Sequence, residues 1–256
     1  MSKWVVQGLR TGIKTTQYPH TLETTPGGSP GLPLAKAMVS EEEARRVVSR
    51  CPTEALHPQD HHVAVDYRRC IHCFRCVRGT SSALDWQSGY EWATLLSHDR
   101  KSSQPWPKAL SRSLHILVVD AGDCGACLNE VKQLNNPYYN VHRLGFFITP
   151  TPRQADILLV VGPVTDAMRL PLQKAYDAMP TPKRVMAVGA CALSGGLFGP
   201  SFVSAAGVAN VLPVDVEVPG SPPPPLAILH GLLVAAGRKP AAFPPPRTTS
   251  REVEAR

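Results

Sequence analysis

His115-Ile-Leu-Val-Val-Asp-Ala-Gly-Asp-Cys-Gly-Ala-Cys127 sets a short apolar run directly against a glycine-bracketed pair of cysteines. Similar runs recur as Asp156-Ile-Leu-Leu-Val-Val-Gly162, Arg184-Val-Met-Ala-Val-Gly189 and Val211-Leu-Pro-Val-Asp-Val216. Helix-like stretches separate or follow them, from Cys127 to Leu134, Thr165 to Ala178 and Pro225 to Gly237. Short strands alternating with helices predict an α/β fold with a parallel sheet, because parallel neighbours need crossover connections.

In open sheets of this kind the loops at the carboxyl ends of the strands share a crevice. Cys124 and Cys127 lie in the first such loop, where Gly122 and Gly125 let the backbone turn tightly around a bulky ligand. Cys191 lies in Gly189-Ala-Cys-Ala-Leu-Ser-Gly-Gly196, and Ser221 in Val218-Pro-Gly-Ser-Pro-Pro223. A redox dithiol at Cys124 and Cys127 is a competing reading, but it leaves Cys191 without a role. Cys191 as a nucleophile finds no histidine close in sequence. Neither glycine-rich loop has G-x-G-x-x-G or a Walker Gly-Lys-Ser/Thr, which removes the dinucleotide and P-loop readings. A metal cluster is the simplest account.

A second set lies upstream. Cys70-Ile-His-Cys-Phe-Arg-Cys76 places three thiols within seven residues, a spacing that wraps three corners of an iron–sulfur cube and that zinc sites rarely use. The bacterial ferredoxin run continues with a fourth cysteine, where this chain has Thr80. Cys51-Pro-Thr-Glu-Ala-Leu56 has the form of such a final cysteine without the first three. In two-cluster ferredoxins the last cysteine of one run serves the other cluster. Cys51, Cys70, Cys73 and Cys76 therefore read as one complete four-thiolate set, against a zinc site or a structural remnant. His72 is expected at the surface or beside the ligands rather than among them.

With 256 residues, 43% of them hydrophobic and 18% charged, the chain can bury one large or two modest cores. Its longest apolar stretches fall short of the roughly 18–20 residues that span a bilayer. No secretory signal is evident, so the chain is read as cytoplasmic, and its seven closely spaced cysteines as metal ligands rather than disulfides. The formal charge of +7 is dispersed, with no basic run, and no nucleic-acid partner is expected. Residues 1 to 33 are rich in turn formers and are expected to form an extended arm lying on a partner. A short helix is expected from Ser40 to Val48, with Ser40 as its N-cap, and a polar linker from Asp99 to Ser113.

The segment from Cys124 to Gly220 resembles the small, cluster-bearing subunit of respiratory complex I and of the energy-converting [NiFe] hydrogenases, including formate hydrogenlyase. The likeness rests on Cys124-Gly-Ala-Cys-Leu-Asn-Glu130, Pro152-Arg-Gln-Ala-Asp156 with the apolar run after it, Tyr176-Asp-Ala-Met-Pro-Thr-Pro-Lys183, the Cys191 loop and Pro213-Val-Asp-Val-Glu-Val-Pro-Gly220. Its C-x-x-C is closer to the hydrogenase branch. The first hundred residues are similar to the ferredoxin-like subunit of the same complexes, through Gly12-Ile-Lys-Thr-Thr-Gln-Tyr-Pro19 and the Cys51 and Cys70 to Cys76 motifs. The chain thus looks like two neighbouring subunits fused.

The expected fold is α/β: a flavodoxin-like parallel-sheet domain over 111–238, preceded by a small α+β ferredoxin-like domain over 1–110 and followed by a disordered tail over 239–256. The resemblance implies an electron-transfer subunit at the cytoplasmic face of a membrane. It implies a [4Fe-4S] cluster in the first domain and a second cluster, [4Fe-4S] or [3Fe-4S], in the other. The implied partners are a large subunit, the membrane subunits of the same complex, and a ferredoxin or formate dehydrogenase-type donor. The family takes a fourth cysteine where this chain has Ser221, so the seven cysteines divide as four plus three. Glu130 reads either as a proton carrier at the large-subunit interface or as a helix-start carboxylate, and Arg153 and Asp156 as an interface or structural pair. A ferredoxin- or quinone-linked ion-pumping relative without hydrogen chemistry and a scaffold with an empty second site are the other readings.

Overall fold

The computed structural model describes residues 2–23, 29–36, 39–59, 62–78, 83–96, 106–110 and 112–242. Thr80, much of the expected linker and residues 243–256 of the expected tail lie outside them.

In the first half the elements are α1 (Lys3–Thr11), β1 (Leu32–Ala35), α2 (Glu41–Val48), β2 (Leu56–Gln59), β3 (His62–Val65), β4 (Leu84–Gln87) and β5 (Thr94–Leu95). β1 pairs antiparallel with β4, and β2 with β3. α2 begins where its sequence says it should: the Ser40 side chain accepts from the Glu43 N–H at 3.3 Å, and three glutamates fill the first turn.

The arm differs from expectation in two ways. It opens with helix α1, which runs until Gly12 takes a left-handed φ of 66° and its N–H closes the last turn on Gly8. Its prolines act only further on. Moreover, the segment after α1 lies on the second half of the same chain. The Thr16 N–H donates to the Tyr138 carbonyl at 2.8 Å, Arg143 donates to the Tyr18 carbonyl, and the Tyr138 hydroxyl donates to Glu23 at 3.1 Å.

The second half runs β6 (Leu114–Asp120), α3 (Ala126–Gln133), β7 (Phe146–Ile148), β8 (Ile157–Val161), α4 (Asp166–Ala178), β9 (Arg184–Val188), α5 (Ala190–Ser194), β10 (Val216–Val218) and α6 (Pro225–Ala235). The strand expected over Val211–Val216 is displaced to β10, since Pro213 has no N–H to give a ladder. Six strands form one sheet in the order β5-β10-β9-β8-β6-β7. All pairs are parallel except β10 with β5. Counted along the chain, the five parallel strands stand in the order 2-1-3-4-5, the flavodoxin-like arrangement, with its switch point between β6 and β8.

Alternate residues of β8 face opposite cores. Ile157, Leu159 and Val161 pack with α6 and part of α3, while Leu158 and Val160 pack with Leu172 of α4 and Leu193 of α5. Burial on both faces explains why β8 and β9 read as unbroken apolar runs. The α6 side of this core continues into the first half, through Tyr18, Leu32, Val47, Val63 and Trp92.

Polar contacts close the seam between the halves. β5 adds itself to the edge of β10, Arg68 meets Glu217 at 2.9 Å, and the Ser194 hydroxyl donates to the Arg68 carbonyl at 2.9 Å. The Ala93 N–H donates to His230 Nδ1 at 3.2 Å, and Trp92 Nε1–H to the Pro219 carbonyl at 2.8 Å.

Candidate metal centres

Cys51 follows α2 directly, its N–H still bonded to the Val48 carbonyl at 3.0 Å. The Ala55 N–H points back at Cys51 Sγ at 3.2 Å, a donor suited to a sulfur that carries negative charge. Cys70 enters from a turn closed by Asp66, whose carbonyl accepts from the Arg69 and Cys70 N–H groups, both at 3.2 Å. On either side of Cys73, His72 and Phe74 adopt left-handed φ values of 53° and 59°. Such angles are unfavourable for side chains of this size and curl the loop inward. The result is a single cleft lined by Cys51, Cys70, Cys73 and Cys76, with Phe74 stacked on Trp86 at 4.1 Å along its wall.

The structure therefore brings together all four thiols of the upstream set. Among the described residues, no three His, Cys, Asp or Glu side chains close tightly enough on one point to hold a single metal ion. A cubic cluster offers one iron to each of four thiolates, so its ligands stand around a cage rather than on a point. Burial pushes the Cys70 thiol up to about 12, with the neighbouring Cys76, Cys51 and Cys73 adding to the rise, and it raises Cys76 as well. These thiols keep their protons until a cation compensates them, so loading the site with iron releases protons.

His72 is not at the surface. It is 7% exposed, gripped edge-on between Trp86 and Trp92, and neither ring nitrogen has a hydrogen-bond partner within the protein. A buried donor without a partner, inside a loop of thiols, fits an adjacent group that accepts hydrogen bonds.

The second site is built on the loops after β6, β9 and β10. Asp120 Oδ1 accepts from the Gly122 and Asp123 N–H groups at 2.9 and 2.7 Å, and Asp123 Oδ2 from Gly125 and Leu128, both at 3.0 Å. Gly122 and Gly125 take φ values of 100° and 91°, which turns the chain into α3 with Cys124 exposed and Cys127 buried. Gly189 faces Cys127 so closely that a Cβ there would lie 2.5 Å from its Sγ. Cys191 is in the first turn of α5, and the Leu197 N–H hydrogen-bonds its sulfur. The Ala190 N–H donates to the Gly220 carbonyl at 2.7 Å, which seats the Ser221 loop beside Cys191.

Burial raises the Cys127 thiol, helped by Asp123, Cys191 and Cys124; Cys191 is raised by burial and by Cys124 and Asp123. The three thiols thus lie within electrostatic reach of one another, while Ser221 is exposed at the tip of its loop. Three sulfurs on converging loops, with glycine leaving room at Cys127, fit a cluster at this crevice. Glu130 stands one turn beyond Cys127, half-buried, its carboxyl raised by burial. Asp156 is buried and accepts from the His115 N–H at 2.7 Å, which gives it a structural role within the sheet. Beside the crevice, Leu197, Phe198, Phe202 and Val203 are all exposed, Phe202 to 95%.

Sequence reading missed Arg68, Trp92 and Glu217, which join the two sites. A glutamate between two valines of an apolar strand was the available signal for Glu217.

The family model described as NADH ubiquinone oxidoreductase, 20 Kd subunit, matches residues 124–235. Over 130 residues the chain is 41% identical to formate hydrogenlyase subunit 7 of Escherichia coli (strain K12), covering 51% of this chain and 51% of that protein. It is 44% identical over 125 residues to an uncharacterized protein of Methanocaldococcus jannaschii, covering 49% of this chain and 84% of that one. It is 41% identical over 128 residues to a probable membrane-bound hydrogenase subunit of Pyrococcus furiosus, covering 50% and 77%. The chain thus spans about half the length of the Escherichia coli protein.

Proposed function

Since the chain belongs to the family of the 20 kDa subunit of NADH ubiquinone oxidoreductase, we propose that it is an iron–sulfur electron-transfer subunit of a membrane-associated oxidoreductase of the complex I or hydrogenase type. The observation that carries this reading is the convergence of Cys51, Cys70, Cys73 and Cys76 on one cleft from stretches far apart in sequence. They would hold a [4Fe-4S] cluster. Cys124, Cys127 and Cys191 would hold a second, [4Fe-4S] or [3Fe-4S], with Ser221 at its fourth corner. When bound, such clusters supply one-electron redox chemistry at potentials set by their surroundings.

The chain's own groups do the rest. The N–H groups of Ala55 and Leu197 address Cys51 and Cys191 and lower the negative charge on those sulfurs. Burial around Cys70 and Cys127 excludes water. Glu130 keeps a proton to higher pH than an ordinary glutamate, which suits a proton carrier beside Cys127. The apolar rim at Phe198 and Phe202 suits a large catalytic subunit docked over the second site. The first site would then face a donor of the ferredoxin or formate dehydrogenase type, with the chain bound peripherally at the cytoplasmic side. Among the described residues no helix is long and apolar enough to cross a membrane. Ser221 favours a second reading, a scaffold whose second site stays empty.

Anaerobic reconstitution of the full chain with iron and sulfide tests these readings. Iron and sulfide sufficient for two clusters, with visible absorption lost on reduction, is the expected result. One cluster only selects the scaffold, and zinc without sulfide overturns both.

A further inference from the structure

Trp92 stands between the two sites at the seam. Trp92 is 2% exposed and packs edge-on against His72, with ring centroids 6.0 Å apart and an interplanar angle of 78°. His72 adjoins Cys73 in the loop of the first site. On its far side the indole N–H donates to the Pro219 carbonyl at 2.8 Å. Gly220, the next residue, accepts from the Ala190 N–H at 2.7 Å, and Ala190 adjoins Cys191.

We propose that Trp92 is the electronic bridge between the two cluster sites. The route from Cys73 to Cys191 runs through His72, one ring-to-ring contact, the indole, a hydrogen bond to the Pro219 carbonyl, the Gly220 backbone, a second hydrogen bond from Ala190, and the Ala190–Cys191 peptide. The inference rests on the two-cluster reading above. In the step it serves, one electron leaves the cluster of one site and enters that of the other, the first being oxidised as the second is reduced. Trp92 lends its π orbitals to the coupling and is itself neither oxidised nor deprotonated. No bond forms or breaks.

A buried indole whose N–H finds a carbonyl is ordinary core packing. What packing does not require is that its two neighbours come from the Cys70–Cys76 loop and from the Ser221 loop that is seated beside Cys191. The position is also fixed on each side. Ala93 is tied to His230 and Thr94 is paired with Glu217 in the sheet, so the backbone that carries the ring is held at the seam. The His72 ring is held between Trp86 and Trp92 with neither nitrogen hydrogen-bonded within the protein, while its backbone N–H addresses the Cys70 sulfur.

Other contacts cross the seam, among them the Arg68 guanidinium on Glu217 at 2.9 Å and on the Leu193 carbonyl at 3.4 Å, and a further route runs through Ser194. The Ser194 hydroxyl donates to the Arg68 carbonyl, linking Cys70 to Cys191. It passes through two residues of saturated backbone on one side and three on the other. Electronic coupling decays with each saturated bond, whereas the Trp92 route replaces much of that length with aromatic rings.

The test uses the full chain, reconstituted with both clusters, and its Trp92→Phe, Trp92→Leu and Ser194→Ala variants. A one-electron photoreductant loads an electron by flash, and rapid-freeze electron paramagnetic resonance follows its movement from one cluster signal to the other. The magnetic broadening between two reduced clusters depends on their separation and reports whether the geometry is kept. With broadening unchanged, the expected result is loss of the fast transfer phase in Trp92→Leu and an intermediate rate in Trp92→Phe, which keeps a ring but not the hydrogen bond. Ser194→Ala is expected to transfer as the parent does. Equal rates in the parent and both Trp92 variants overturn the bridge, as does slowing confined to Ser194→Ala. Iron and sulfide for fewer than two clusters in the parent overturns the two-cluster reading itself, a result read before any rate is measured. Should Trp92→Leu fail to fold, the Trp92→Phe rate decides.

Discussion

The Arg68 guanidinium crosses from the first half of the chain to the second and meets the Glu217 carboxylate at 2.9 Å, where Glu217 is only 2% exposed. Burial, partly offset by Arg68, holds the Glu217 carboxyl above the usual glutamate range. The folded chain therefore binds this proton more tightly than the unfolded chain. Its contribution to stability is full below the ordinary glutamate value and declines as pH rises through the raised one. Glu217→Gln is expected to flatten the stability curve above about pH 4.3. Arg68→Ala at neutral pH is expected to cost about 3 kcal/mol, the low end for a broken buried pair because Arg68 is itself partly exposed. Denaturant titrations at a series of pH values check both; an unflattened Glu217→Gln curve would remove the titration from Glu217.

His72 gives a pH dependence of opposite sign. Burial lowers it to about 4, below the ordinary histidine value. The unfolded chain binds the proton first, so stability falls as pH drops from about 6.5 towards 4. His72→Leu is expected to lose that part of the acid destabilisation. Identical slopes for parent and variant over this window would count against it.

Gly189→Ala is expected to damage the second site alone. The residue sits at a φ of 92° with the Cys127 sulfur where a Cβ would go. Strain of this kind costs about 1–3 kcal/mol. Iron analysis should show the second cluster lost and the first retained; full iron content in the variant would mean that the crevice can yield.

Ser221→Cys is expected to convert the second cluster to four-thiolate ligation, with a changed low-temperature resonance signal and potential, because an oxygen ligand differs electronically from a thiolate. The same signal and potential in parent and variant would take Ser221 out of the ligand set.

Phe202→Asp is expected to leave stability within about 0.5 kcal/mol, as for other surface changes, and to abolish co-purification with a large subunit. Retained association would move the docking surface elsewhere.

The α/β half was legible because its signals are local. Short apolar runs such as Ile157–Val161, rich in β-branched residues and bounded by glycine, read as strands buried on both faces, and the glycine and cysteine spacing of the loops survives without knowledge of the fold. β7 was missed because its three residues are too few for a pattern, and β5 because two residues become a strand only when β10 lies beside them. The Cys51 partnership was readable from motif logic, whereas the burial of His72 was not. Nothing in Cys70-Ile-His-Cys73 announces that Trp86 and Trp92 arrive from later in the chain to enclose it. The seam is likewise a property of the folded molecule, since Arg68 and Glu217 are separated by most of the α/β half.

β5 has one more consequence. It is donated by the first half to the exposed edge of a sheet that belongs to the second, the same act by which a separate peptide augments a foreign sheet. Together with the Arg68 and Trp92 contacts, it makes the union of the halves independent of covalent continuity. Joining the halves after Leu96 in one chain then raises their effective concentration. Two polypeptides divided there would be expected to find each other and assemble the same joint.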